Sequence, residues 1–340
     1  MASSTPPQTI IEALEDYIFQ VGNARSRGTV KTYGQGLKHF ITALSENNVE
    51  PDQANSNILS DTAYFLHFIE HLQAANLVAS TQKLYLSAVM GFYRYLDAYE
   101  LAQVNLSRLQ NISKQRIGQP GYRLPQFPKE EIEGVIAYAQ SLYTQAVDNE
   151  HQRLANLRDR AFVLTLADTG LRVHEACGLR RGDIDWNEGR AIVTGKGDKQ
   201  AVIRFSERAL SAQKDYLNAR QKLDGQAGRQ LTALPLFARH DKKAGRNKVK
   251  PISTETGRNI IKGRVREALG EEAVGTITPH SFRHYFVTTV LRATGGDIHT
   301  AQKLARHSNI GVTERYAHLS DDELDRTYHD VFNQQELGNL

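Results

Sequence analysis

A single cysteine, Cys177, occurs in 340 residues. A disulfide within the chain is therefore excluded, and no Cys-x-x-Cys pair exists for structural zinc. Such scarcity fits a reducing compartment, and a cytoplasmic location is the expectation. Cys177 itself lies in an apolar helical stretch and reads as a small core residue. No run of eighteen apolar residues occurs, so no membrane-spanning helix is expected. Met1–Gln8 has no apolar core of the secretory type and reads as a frayed tail, as do residues 334–340. No internal repeat recurs at a fixed period. Excess charge is also slight: 42 Lys and Arg against 38 Asp and Glu give a net +4. That points only weakly to a polyanionic partner.

What is present suffices for two cores: 40% of residues are hydrophobic, in a chain long enough for two domains. Apolar residues recur at helical spacing over Ile10–Val21, Thr29–Glu46, Asp61–Ala75 and Ser80–Tyr99, with Ser60 and Ser80 as plausible N-caps. Tyr33, Leu37, Phe40 and Leu44 illustrate the period. No strand pattern interrupts this region, which predicts an all-helical domain over residues 9–108. Residues 109–127 carry Lys114, Arg116 and Arg123 among glycines and prolines and read as a basic, extended linker.

Residues 128–333 are mixed. Helices are predicted over Lys129–Leu142, Asn156–Asp168 and Arg172–Leu179, then near Ser206, Ser253, Pro279, Asp297 and Val312, with Gly170 closing the second. Two β-like runs, Ala191–Thr194 and Ala201–Phe205, flank Gly195-Lys196-Gly197-Asp198-Lys199 and predict a hairpin. The fold class is thus mainly α (α+β): an all-helical N-terminal domain, then a helical domain with a small antiparallel sheet. Ala212–Ser253 has no clear assignment. From Arg239 to Arg266 ten Lys and Arg, including Lys242 and Lys243, meet only Asp241 and Glu255 within the stretch. That is a solvated face or a phosphate contact.

Four segments carry chemistry together: Thr169-Gly170-Leu171-Arg172-Val173-His174-Glu175, the glycine-lysine hairpin at Lys196, His280-Ser281-Phe282-Arg283-His284, and His307 followed nine residues later by Tyr316. Breaking a phosphodiester needs the anionic transition state neutralised, and planar guanidiniums match phosphate oxygens. It needs a nucleophile, which a phenol can supply, and groups to move protons at each end. Arg172, Arg283, Tyr316, His280, His307 and Lys196 are the residue types required. Thr278 can cap a helix beginning at Pro279, placing His280 and Arg283 on one face near a phosphate-favouring N-terminus. Rival motifs fail: no Glu follows His280 as zinc proteases require, and neither a Walker loop nor a nucleophile elbow is present.

In order and spacing these segments resemble the tyrosine recombinase family (phage integrase and Xer-type), over essentially the whole chain. The resemblance implies a core-binding domain before the catalytic one. It makes Tyr316 the nucleophile leaving a 3′-phosphotyrosyl link, and Arg172 and Arg283 the holders of the non-bridging oxygens. His280 would be the base, His307 a hydrogen-bond donor to phosphate, Lys196 the acid at the 5′-oxygen, and Glu175 a buttress. No metal or cofactor is implied. The implied partner is double-stranded DNA with a specific site, bound by a homotetramer on two sites, with a helix around Asp322–Phe332 docking on a neighbour. Lys31, Lys83, Lys114, Arg116, Lys242 and Lys243 are the DNA-contact candidates. Arg306 stands where the family usually has glycine, and is expected to be an extra cation beside DNA. A type IB topoisomerase-like activity and a non-catalytic DNA-binding regulator are the alternatives.

Overall fold

The computed structural model describes residues 9–117, 128–147, 149–194, 200–240, 249–307 and 309–317. The chain divides into two compact units, Met1–Arg123 and Leu124–Leu340. The described residues are mainly helical, with one small antiparallel sheet. None of their helices is long and apolar enough to cross a membrane.

In the first unit Thr9 opens α1 (Ile10–Ala24) with reciprocal bonds. The Glu12 N–H donates to the Thr9 hydroxyl (3.2 Å), and the Thr9 N–H donates to the Glu12 carboxylate (3.0 Å). Then come α2 (Arg27–Glu46), α3 (Thr62–Ala74) and α4 (Ala79–Ala98). Their apolar stripes meet in a core where Phe40, Phe65, Phe68, Phe92 and Tyr93 are fully buried. Rings meet edge to face, Phe40 on Phe68 at 5.5 Å and Phe65 on Tyr93 at 5.4 Å, the arrangement their quadrupoles favour.

Two expected caps are corrected. The carboxylate of Asp61, not Ser60, caps α3 by accepting the Ala63 N–H at 2.9 Å. The Ser60 hydroxyl instead accepts the Gln103 N–H. Helix α4 starts one residue before Ser80, after Val78, without a side-chain cap. The linker reading of residues 109–127 is also corrected in its first part. Leu106–Arg116 form α5, opened by the Asn105 side chain accepting the Arg108 N–H (2.9 Å). Leu109 and Ile117 are buried in the first unit's core, while Lys114 and Arg116 stay in water. A polar, basic composition concealed the helical spacing of Leu106, Leu109 and Ile112.

In the second unit α6 (Lys129–Ser141) precedes α7 (Glu150–Thr169), a central helix that buries Phe162 through Leu166. After α8 (Val173–Gly178), strands β1 (Ile184–Asp185), β2 (Arg190–Thr194) and β3 (Gln200–Arg204) pair antiparallel in sequence order. Ala191 faces Ile203 across β2 and β3, and both turn into the core with Val193. The helix expected at Ser206 is α9 (Glu207–Ala219), packed on α7; it runs into the unassigned stretch, which also holds α10 (Gln221–Gly225). Its anchor is Arg220, fully buried, which donates to the carbonyls of Pro235 (2.8 Å) and Leu236 (3.0 Å) and pairs with Asp224.

Helix α11 (Thr254–Leu269) lies against α6 and α8. Gly257 lets it approach: a Cβ there would come within 2.8 Å of Cys177 Sγ. Cys177 is buried, and burial pushes its thiol up to about 11, as a core residue requires. Part of the basic stretch is corrected here. Arg264 is no phosphate contact; it is buried and paired with Asp159 (2.8 Å) and Glu267 (2.5 Å). Arg266 pairs with Glu271. Last come α12 (Pro279–Ala293), α13 (Ile298–Ala305) and α14 (Ile310–Ala317), mutually packed.

Candidate active site

The site is assembled where helices end. Helix α7 stops because Gly170 takes a left-handed backbone, φ 59°. A Cβ at Gly170 would also lie 2.5 Å from the Phe286 ring. Gly170→Ala therefore meets two penalties, about 1–2 kcal/mol for the left-handed backbone and about 1–3 kcal/mol for overpacking. The expected result is a Tm lower by at least about 5 °C in a thermal melt.

Two residues later Arg172 stands at the N-cap of α8. Its backbone N–H donates to Glu175 Oε2 (2.9 Å) and its Nη1 to Glu175 Oε1 (3.1 Å), while the side chain as a whole stays exposed. Helix α12 begins as the sequence suggests, with Thr278 at the N-cap, Pro279 next, and the Thr278 N–H donating to the Ser281 hydroxyl (3.0 Å). His280 and Arg283 follow on one face.

Arg283 is only 3% exposed. Its Nη1 donates to the Gly170 carbonyl and its Nη2 to the Ala305 carbonyl. One guanidinium thus ties the end of α7 to the end of α13, and so brings Arg172, Arg283 and His307 into one place. His307 Nδ1 is held by Thr313 Oγ1 at 2.9 Å. Tyr316 lies in the last turn of α14, which packs on α12 and α13. The side chain of Tyr316 and all of Lys196 lie outside the described residues.

Electrostatics define one cluster. Burial, then the charges of Arg283 and Arg172, lowers His280 below the ordinary imidazole value. Burial, followed by the same two guanidiniums, brings His307 down to about 4. His284, whose ring meets that of His280 at 4.3 Å, is lowered to about 4 by burial, His280 and Arg283. At neutral pH these imidazoles are uncharged beside two fixed cations, which suits an anionic guest and leaves a ring nitrogen able to take a proton.

A pH dependence of stability follows. A group whose folded pKa lies below its unfolded value binds more protons unfolded, so its contribution is complete above 6.5 and fades as pH falls towards 4. The Tm of the DNA-free protein is expected to fall across that interval. His284→Asn and His307→Asn should each flatten the slope.

One contributor escaped the sequence reading. Arg306, expected beside DNA, turns inward: its side chain is 10% exposed and its Nη2 donates to Glu175 Oε2 at 3.1 Å. Its backbone is left-handed, φ 57° and ψ 45°, at the position where the resembled family usually has glycine; that glycine was the one signal, and the arginine itself gives none. Glu175 is therefore shared by Arg172 and Arg306. Burial works to raise its carboxyl, but the Arg172 amide and both guanidiniums outweigh it and hold the group below the usual carboxylate range.

In the first unit, Lys31, Lys114 and Arg116 are exposed and Lys83 is half-buried. Lys114 shares a shallow cleft with Tyr33, Ser87, Gln110 and Arg94. Arg94, which the sequence reading did not single out, falls on one face of α4 with Lys83 and Ser87. Lys242 and Lys243 lie outside the described residues.

A helical unit followed by this arginine–histidine cluster defines a class. Residues 136–323 match the model of the phage integrase family, and residues 11–99 match that of the phage integrase N-terminal SAM-like domain. The chain belongs to the phage integrase family, the tyrosine recombinases. It is similar to the tyrosine recombinase XerC of Bacillus subtilis (strain 168), 27% identical over 321 residues covering 94% of this chain and 95% of that one. XerC of Halalkalibacterium halodurans is 29% identical over 303 residues, covering 88% and 89%.

Among solved structures, the chain is similar to the XerH site-specific recombinase bound to palindromic difH substrate in a post-cleavage complex. That match has TM-score 0.65, 18% identity and coverage of 93% and 83%. A lambda integrase dimer bound to a COC′ core site matches with TM-score 0.59, 20% identity and coverage of 91% and 95%. At these identities the structures establish a shared fold.

Proposed function

We propose that the protein performs site-specific DNA recombination, cleaving and rejoining strands through a 3′-phosphotyrosyl intermediate at Tyr316. The observation that carries this is the Arg283 bridge, which gathers two guanidiniums and two neutral imidazoles beside the helix bearing Tyr316.

The reaction is an exchange of esters. The Tyr316 oxygen attacks phosphorus, and the bond from phosphorus to the 5′-oxygen breaks. The phenolic proton passes to neutral His280, and Lys196 gives a proton to the departing 5′-oxygen. Arg172 and Arg283 hold the non-bridging oxygens as charge builds on them, with His307 donating a further hydrogen bond. The N-terminus of α12 adds its dipole. One ester replaces another, so a free 5′-hydroxyl of a second strand can reverse the step, and no nucleotide or metal has to drive it.

The DNA partner is supported by the neighbours, described as recombinases on their recombination sites. In this chain the cleft with Arg94 and Lys114, together with Lys31, Lys83 and Arg116, supplies phosphate contacts from the first unit, and binding should weaken steeply with salt. Lys242 and Lys243 extend the contact from the second unit, and four protomers act on two sites.

The test begins with sheared genomic DNA. Complexes that survive detergent are isolated and their DNA is sequenced, and a nicked suicide duplex is built on the recovered site. A covalent adduct with strand exchange is the expected result. An adduct with relaxation alone would mean a type IB topoisomerase-like enzyme, and binding without an adduct would mean a regulator.

A further inference from the structure

We propose that Arg306 is a positioning residue for cleavage, fixing Glu175 through the carboxylate oxygen that the Arg172 guanidinium leaves free, so that Arg172 meets the phosphate with its plane set and its charge unspent. The inference rests on the recombinase reading above.

Glu175 is a buried carboxylate, its side chain 2% exposed. Were Arg172 its only partner, the pair would be neutral, and a phosphate would compete with Glu175 for the same guanidinium. The structure places two guanidiniums on one carboxylate: Oε1 takes Arg172 Nη1, and Oε2 takes both the Arg172 backbone N–H and Arg306 Nη2. Two positive charges and one negative leave the group at +1, with the carboxylate pulled on both sides. The exposed guanidinium of the pair is Arg172, its side chain 44% exposed against 10% for Arg306. The surplus charge is thus available to a guest at Arg172.

The backbone supports the assignment. A left-handed residue is most easily glycine, then asparagine, and a long side chain there is disfavoured. Arginine holds φ 57° at this turn and then buries its side chain, with Nε lacking a hydrogen-bond partner among the described residues. Strain of this kind persists where the side chain performs a task. The neighbours show which task. The Ala305 carbonyl accepts Arg283, Arg306 reaches Glu175, and the His307 ring lies under the fields of Arg283 and Arg172. Three consecutive residues thereby connect this turn to three other parts of the site.

The experiment uses the full chain and the nicked suicide duplex recovered as above. It measures DNA affinity, Tm and single-turnover cleavage for the parent, Arg306→Gly, Arg306→Asn and Arg306→Lys. Glycine and asparagine both accept the left-handed backbone, so either one reports if the other folds poorly. The expected result is affinity and Tm close to the parent, with cleavage about 10–100-fold slower in the glycine and asparagine variants, the scale of a small misplacement of a reacting group. Lysine should restore part of the rate, and millimolar guanidinium should restore part of it to Arg306→Gly.

Because Arg306 acts through Glu175, the same replacement made in a Glu175→Gln chain should cost little further. Cleavage at the parental rate in both Arg306→Gly and Arg306→Asn would overturn the assignment. So would an undiminished loss in the Glu175→Gln background, which would mean that Arg306 touches the DNA itself. A parent chain that forms no adduct at all would instead remove the recombinase reading.

Discussion

Tyr316→Phe is expected to bind the recovered site as the parent does and to form no covalent adduct. Phenylalanine keeps the ring and loses the one atom that can bond to phosphorus. The arginines, the imidazoles and the whole first unit are untouched, so recognition persists while the bond-forming step does not. Removing the nucleophile from a site whose parts act as a unit costs on the order of 10⁶ in rate, so the adduct should vanish from a gel rather than fade. Binding measured by mobility shift and cleavage measured on the suicide duplex separate the two effects. An adduct retained by Tyr316→Phe would move the chemistry to another residue.

Arg283→Ala is expected to fail twice. The guanidinium is buried and donates to the carbonyls of Gly170 and Ala305, which lie in different segments. Its removal leaves two buried acceptors unpaired, at about 1–3 kcal/mol each, and opens a cavity between α7, α12 and α13. A drop in Tm of roughly 5–10 °C is the expected scale. Cleavage should fall by about 10³-fold or more, as when an arginine that stabilises a phosphoryl transition state is lost.

Arg283→Lys separates these roles. Lysine returns the charge but cannot span both carbonyls with a planar fork. It should recover DNA affinity better than either Tm or rate. A lysine variant equal to the parent in all three would show that charge alone suffices and that the bridge is incidental.

Much of this was legible because it is periodic or ordered. The stripe of Tyr33, Leu37, Phe40 and Leu44 announced α2, and the run from Thr278 to Arg283 announced both a helix start and the two residues it presents. Leu109 was missed because lysines and arginines around it made its helix resemble a linker, and a single buried leucine is easily lost in polar composition. Arg264 resembled a DNA contact because its partners, Asp159 and Glu267, lie outside the basic run that drew attention to it. The inward turn of Arg306 was invisible for a different reason. The family glycine at this position hinted at a left-handed backbone, but nothing in the sequence says that an arginine placed there would turn its side chain inward to Glu175. Arg283 was assigned to phosphate alone; its second duty, joining the Gly170 and Ala305 carbonyls, depends on contacts 113 and 22 residues away along the chain.

The most direct measurement is the chemical identity of the covalent joint. The adduct would be digested with nuclease and trypsin and its peptides read by tandem mass spectrometry. A nucleotide joined through its 3′-phosphate to the oxygen of Tyr316 is the result this account requires. A nucleotide carried by Tyr285 or Tyr328, or one attached through its 5′ end, would contradict it.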